Sequence, residues 1–297
     1  AHYCNDFIAM ILIVTCTVRW TMKYGIDLNS PAAFAIFGFL KVVAGDFITG
    51  NAFSERALIL LKKLESKAVE SRLTYLVHFM VAPWAKPLQS TLTYLLQGYK
   101  VGMEIGDSES AMWNVSMYII NSFSCGKSLK ALEADCKTYC AQMQELSQEE
   151  ILYCTLPFWQ GILNLMYGSE NPLILSGDAI ECEDAFIDKV QHEHYPRNYL
   201  HVLIFKSIMC SFYGNHELGA KLALERGDAY LKKNGTVLVM SDFFHQGISL
   251  FAMSRKTKKR KYIKRANKIN ATIKSWAKKG NPNVNHFIMF LGAEKAA

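Results

Sequence analysis

The sequence predicts an all-α protein, and three observations carry the prediction. Apolar residues recur at the 3.6-residue spacing of a helix along nearly all of the 297-residue chain. Few stretches alternate strictly enough to form strands. Finally, a glycine followed five positions later by a small residue recurs at the ends of the periodic segments, at Gly45 and Gly50, Gly106 and Ala111, Gly126 and Ala131, Gly177 and Cys182, and Gly214 and Gly219.

The periodicity places helices, in chain order, near 4–24, 31–44, 47–67, 71–81, 87–105, 108–124, 128–146, 148–169, 178–190, 197–213, 216–233, 236–253, 258–279 and 284–296. Local punctuation supports these elements. Ser30-Pro31 sets a hydroxyl before a proline at the first helical position. Ser147-Gln-Glu-Glu150 reads as a capping box, in which two side chains satisfy each other's free N–H groups. Pro83 and Pro87 bracket a linker, Asn171-Pro172 and Tyr195-Pro196 mark further breaks, and Pro157 inside a helical run predicts a kink.

The glycine pattern has a coherent physical meaning. Glycine ends one helix in the left-handed conformation, the Asp or Asn that follows four of the five caps the next helix, and the small side chain lets the two helices approach. Such turns join the helix pairs of tetratricopeptide-like arrays. The intervals between successive glycines are 61, 20, 51 and 37 residues, so the expected fold is an irregular α-solenoid of antiparallel helix pairs, a single array over residues 1–297. The chain opens on Ala and stops just after an apolar helix, which predicts a segment of a longer multidomain protein.

The same rule disposes of a nucleotide site. Gly126-Lys127-Ser128 ends like a phosphate-binding P-loop, but that loop requires a glycine at position 121, which is Asn, and a strand entering it. Residues 108–124 are periodic as a helix, with Met112, Val115, Ile119 and Phe123 on one stripe.

Other candidate chemistry is sparse, and no catalytic, cofactor-binding or metal-binding residue is assigned. Cys136 and Cys140 share a helix face, but no second Cys or His pair stands at ligand spacing nearby, so packing is the better reading. His192, His194 and His201 adjoin a proline break and read as a polar inter-helix loop. There is no Gly-x-Ser-x-Gly elbow. Glu149, Glu150, Glu181, Glu183 and Asp184 sit near helix starts, where a negative charge favours the dipole. The sequons at Asn114, Asn234 and Asn270 are read as chance matches.

Charge is uneven. Arg255 to Lys279 hold 12 Lys or Arg and no acid, which leaves the rest of the chain at −5 against a net of +7. Ile263, Ala266, Ile269, Ile273 and Trp276 form an apolar stripe there, so an amphipathic helix packs one face and solvates the other. Its basic face fits an acidic neighbouring domain or, as the alternative function, nucleic acid bound through residues 255–279. The eight cysteines fall mostly in apolar helical stretches, as befits a reducing, cytoplasmic setting. No apolar run reaches membrane-spanning length; the longest near the start, Phe7 to Val18, is too short.

Three stretches together carry a resemblance. They are the ending from Trp276-Ala277 through Pro282-Asn283 and His286 to Ala293-Glu294, the Gly106-Asp107 turn after residues 94–105, and Phe79 to Leu88 with its Trp and Pro. In these the chain resembles the tetratricopeptide-like helical region of very large signalling proteins. In that family a predicted AAA-type ATPase module precedes the array, and GAF and histidine-kinase domains follow it. The resemblance spans about Ile36 to Ala297 and implies a non-catalytic scaffold for protein–protein interaction and signal relay, with ATPase, GAF or kinase modules as partners. It implies no catalytic residue and no cofactor in this segment, because the family's P-loop, phosphoacceptor His and ATP-lid motifs are absent here.

Overall fold

A computed structural model describes residues 7–65, 67–168, 171–192, 196–231 and 236–297. The described residues form 14 α-helices and no strand: α1 (Phe7–Tyr24), α2 (Ser30–Val43), α3 (Phe47–Leu64), α4 (Glu70–Tyr75), α5 (Leu92–Ile105), α6 (Ser108–Ser124), α7 (Leu129–Glu145), α8 (Glu149–Tyr167), α9 (Glu183–His192), α10 (Pro196–Phe212), α11 (His216–Leu231), α12 (Val237–Thr257), α13 (Arg260–Lys278) and α14 (Asn285–Ala296). The chain divides into two compact units. The first comprises Ala1–Met117, Asn234–Val237 and Trp276–Asn283; the second comprises Tyr118–Lys233, Leu238–Ser275 and Val284–Ala297.

The glycine rule holds at four of its five positions. Gly45, Gly106, Gly126 and Gly214 each follow a helix with φ between 70° and 85°. The geometry repeats closely. At Gly45 the N–H of Gly45 reaches the Val42 carbonyl and that of Asp46 reaches Lys41 O; Gly126-Lys127 does the same onto Phe123 and Ser122. Asp46, Asp107 and Asn215 then accept the N–H groups of Thr49, Ser110 and Leu218 as caps of the next helices. The close approach is real where α2 meets α3, since a Cβ on Gly38 would lie 2.7 Å from Gly50 O and one on Gly50 2.7 Å from Gly38 O. It recurs at Gly102 against Ala111 and at Gly219 against Ser249.

Gly177 is the exception. It does not end a helix: α8 stops at Tyr167, and Gly177 lies in the connection to α9. The predicted helix over 178–190 therefore begins only at Glu183. Two caps also move. Asn29 is the cap residue of α2 without a side-chain bond, and Asp27 Oδ1 instead accepts from the N–H groups of Asn29 and Ser30. Ser147 does not open a capping box. It takes φ 54°, the left-handed position glycine fills elsewhere, and its N–H bonds Gln144 O while that of Gln148 bonds Met143 O. Gln148 is then the cap residue of α8, with no side-chain cap bond. Pro157 lies inside α8, which runs unbroken from Glu149 to Tyr167.

In the first unit, α2 packs against both α1 and α3, and α4 packs on α5. The predicted helix over 71–81 is α-helical only to Tyr75; a turn of π-helix, Leu76–Val81, and a 3-10 turn, Ala82–Trp84, follow. Pro83 has no N–H to continue the ladder. The loosened segment carries His78, buried, with its ring stacked on Tyr94 at 4.2 Å.

The motif stretches of the sequence meet at this point. Asn283 Nδ2 donates to the carbonyls of Pro83 (2.6 Å) and Lys86 (2.8 Å), and its Oδ1 accepts the Leu88 N–H at 2.9 Å. Trp276 meets Trp84 edge-on at 5.3 Å, and Trp84 in turn contacts Phe47 at 4.8 Å. This clasp joins residues 195–200 positions apart. A strictly linear array makes contacts only between neighbouring repeats.

In the second unit, α7 packs on α8, α8 and α9 on α10, and α10 on α11. α8 and α10 approach closely at Gly161, where a Cβ would come within 1.9 Å of the Phe205 ring. Phe205 packs with Phe158 and Phe123 at centroid distances of 5.3 and 5.4 Å. The core also holds charge: Arg226 pairs with Asp242 at 2.6 Å and donates to Ser207 Oγ and Leu203 O, and Gln246 donates to Asp242. Both side chains of the Arg–Asp pair are almost wholly buried, and the bonds to Asp242 converge on its Oδ2. Next to this pair α11 breaks at Gly227 (φ 57°, ψ −167°), whose freed carbonyl accepts from Arg265.

Candidate interaction site

The second unit contains an open cleft of about 610 Å³, built by the end of α7, the turn at Ser147, the first half of α8 and residues 179–189. Its floor is apolar and aromatic because Leu152 and Tyr153, four and three positions before Leu156, share the stripe of α8 that lines it. Tyr153 meets Phe186 of α9 edge-on at 6.0 Å, and Ile180 is buried beside them.

The remaining wall is the connection from α8 to α9, whose described residues 171–182 form no helix or strand. Connections of this length usually serve a function or are loose linkers. This one is fixed by side chains of α8. Gln160 Oε1 accepts the N–H groups of Ala179 and Ile180 at 2.9 and 3.1 Å, and Gln160 Nε2 donates to Ser176 O and to Asn164 Oδ1. Asn164 Nδ2 donates to the carbonyls of Pro172 and Ile174. From the far side, buried Glu183 accepts the Leu175 N–H at 2.7 Å, pairs with Lys206, and donates its own backbone N–H to Ser176 Oγ. Backbone groups that a buried loop would leave unsatisfied are thus bonded to side chains. A Cβ on Gly177 (φ 151°) would stand 2.7 Å from Gln160 Nε2, so glycine is required there for proximity as well as conformation.

The rim is acidic. Glu145, Glu149, Asp178, Glu181, Asp184 and Asp188 are exposed in this region, against one exposed base, Lys189. Glu149 and Glu181 line the cleft and are exposed, and no ion pair among the described residues reaches either. Lys189 is held over the Tyr153 ring at 4.8 Å.

The features singled out in the sequence fall elsewhere. Gly126 follows a helix, and Lys127 is spent on Tyr118 Oη and Asp135, both at 2.6 Å, so no phosphate cradle forms. Cys136 and Cys140 are buried; burial pushes both thiols up, Cys140 to about 12, which keeps them protonated. No group of three or more His, Cys, Asp or Glu among the described residues is placed to hold a metal ion. The side chains of His192 and His194 lie outside the described residues, while His201 Nδ1 lies 3.0 Å from both Sγ and the carbonyl oxygen of buried Cys154. Asn114 and Asn270 are buried, and Asn114 Nδ2 bonds Ser71; Asn234 lies outside the described residues. No helix among the described residues is long and apolar enough to cross a membrane.

On α13, Ala266, Ile269 and Ile273 are buried as the stripe requires, and Arg260, Lys261, Lys264, Lys268 and Lys274 are exposed, as are Lys258 and Lys259 just before it. Two cations of the run are used within the fold: Arg255 pairs with Glu294 at 2.7 Å, and Arg265 bonds Gly227 O. Sequence reasoning did not find Gln160, Asn164, Arg226 or Asp242. The available signal was polar residues at i, i+4 spacing inside apolar helices, which marks side chains that must find partners in the core.

No family model matches the chain, and no curated protein matches it.

Proposed function

We propose that this chain is a non-catalytic helical scaffold, an irregular tetratricopeptide-like arrangement of antiparallel helix pairs that binds protein partners and relays signals. It serves in this reading within a larger protein carrying ATPase and sensor histidine-kinase domains. The observation that carries the reading is the recurring glycine turn, in which left-handed Gly45, Gly106 and Gly214 are each followed by a capping Asp or Asn. That device makes helix pairs and presents their faces. The fixed cleft supplies a face on which a partner can act. The domain context rests on the resemblance of Phe79 to Leu88 and of Trp276 to Glu294. The direct test is to extend the transcript on both sides of this segment. An ATPase module upstream and a histidine kinase downstream are expected; unrelated domains in both places would overturn the signalling role.

The exposed cations at Lys258, Lys259, Arg260 and Lys261 favour a second reading, nucleic-acid association through α13. Binding to duplex or single strands that falls steeply with salt, and is lost when these four are neutralised, would replace the scaffold reading. Under the scaffold reading, neutralising them changes no specific strand binding.

A further inference from the structure

We propose that the cleft between α7, α8 and the pinned 172–182 connection is the docking site for a partner peptide that carries apolar anchors flanked by Lys or Arg. The inference deepens the scaffold reading by naming its surface and the chemistry of its partner.

Three observations carry it. The floor of an open trough of about 610 Å³, within the size range of binding clefts, is Leu156, half-buried, with the edges of the otherwise buried Leu152, Tyr153 and Phe186. The wall is preorganised, since Gln160, Asn164 and Glu183 hold the backbone of residues 172–180 by side-chain bonds before any ligand arrives. Binding therefore spends little on ordering the loop. The rim selects charge: Glu149 and Glu181 face solvent at the lining, with Glu145, Asp178 and Asp184 exposed close by in sequence. The one cation of the lining, Lys189, lies over the Tyr153 ring, and the two carboxylates of the lining outnumber it. An acidic peptide would meet this field as repulsion, whereas Lys or Arg beside an apolar anchor satisfies rim and floor together. The partner's cations set the on-rate and the selection, and its anchors supply the desolvated contact.

The test uses the full chain and fluorescein-labelled peptides read by anisotropy. One peptide sets Leu and Trp anchors among Lys and Arg; a second replaces each Lys and Arg by Glu; a third keeps the cations and replaces the anchors by Ser. The first binds, and the other two bind at least about tenfold more weakly. Glu149→Lys with Glu181→Lys, both at exposed positions, weakens the first peptide about tenfold and flattens its salt dependence, with an unchanged helical circular dichroism spectrum. Leu156→Ser weakens the first peptide and leaves the third unaffected. Equal affinity for all three peptides, or unchanged affinity in the double charge variant, overturns the assignment of the cleft. So does sedimentation showing that the chain self-associates through these two glutamates, because the occupant is then a second copy of this chain. The transcript test of the scaffold reading is independent of all these outcomes, so failure of the cleft and failure of the signalling role are told apart.

Discussion

Asn283 and Gln160 perform the same chemical task in the two units, with opposite consequences. Each is a single amide side chain that bonds the backbone of an irregular segment, Asn283 holding Pro83, Lys86 and Leu88, and Gln160 holding Ser176, Ala179 and Ile180. In the first unit Pro83, Trp84 and Leu88 of the held segment are buried, with Trp276 set edge-on against Trp84. In the second the held segment stands beside the α8 stripe and leaves an open trough. The difference lies in the neighbouring side chains: aromatic rings fill the clasp, and exposed carboxylates rim the cleft. One device thus serves to close a unit in one place and to keep a surface open in another.

The sharpest way to break the second arrangement is beside its anchor. Gly161→Val places a branched side chain where Phe205 already stands. We expect a loss of at least about 4 kcal/mol, read as failure to fold or a collapsed thermal midpoint. Next come the amides themselves. Asn283→Ala and Gln160→Ala each orphan three backbone groups, and each should cost about 2–4 kcal/mol in denaturant unfolding. The comparison sharpens if Gln160→Ala also abolishes peptide binding and Asn283→Ala does not.

A pH dependence follows from a buried histidine in each unit. Burial, helped by nearby Lys86, holds the His78 imidazolium well below its usual range, at about 4; burial alone takes His245 to about 3. Both are neutral in the fold, and the unfolded chain takes up protons below its ordinary value near 6.5. Their stabilising contribution is therefore complete above pH 6.5 and is lost as pH falls toward 4 for His78 and 3 for His245. His78→Phe, which keeps a ring to stack on Tyr94, should flatten the upper part of that loss in urea titrations at stepped pH.

The smallest effects test the turns. Gly126→Ala, with open space around the Cβ but φ 75°, should cost about 1 kcal/mol. Ser147→Gly should stabilise by about 0.5–1 kcal/mol, because Ser147 occupies the left-handed position. A capping box at Ser147 predicts the opposite sign.

Helices and turns were legible in the sequence because they depend on neighbours within a few positions: apolar spacing, and glycine before Asp or Asn. The same locality misled at Gly177, whose Gly-Asp-x-x-x-Cys pattern matches a turn although Gln160, nearly a helix away, draws the backbone into a loop. It misled at Ser147 as well, where ending α7 took precedence over capping α8. The clasp was visible only as two motif stretches of Trp, Pro and Asn; nothing local says that Asn283 bonds Pro83. The cleft depends on polar residues of α8 whose partners come from outside the helix, so periodicity could not place it.

Amide hydrogen exchange on the full chain tests the central claim most directly, that the wall of the cleft is fixed by α8 and Glu183 before a partner binds. The N–H groups of Leu175, Ala179 and Ile180, which bond Glu183 and Gln160, should exchange as slowly as those of the α8 core. Exchange at the rate of an open loop at these three positions would contradict it.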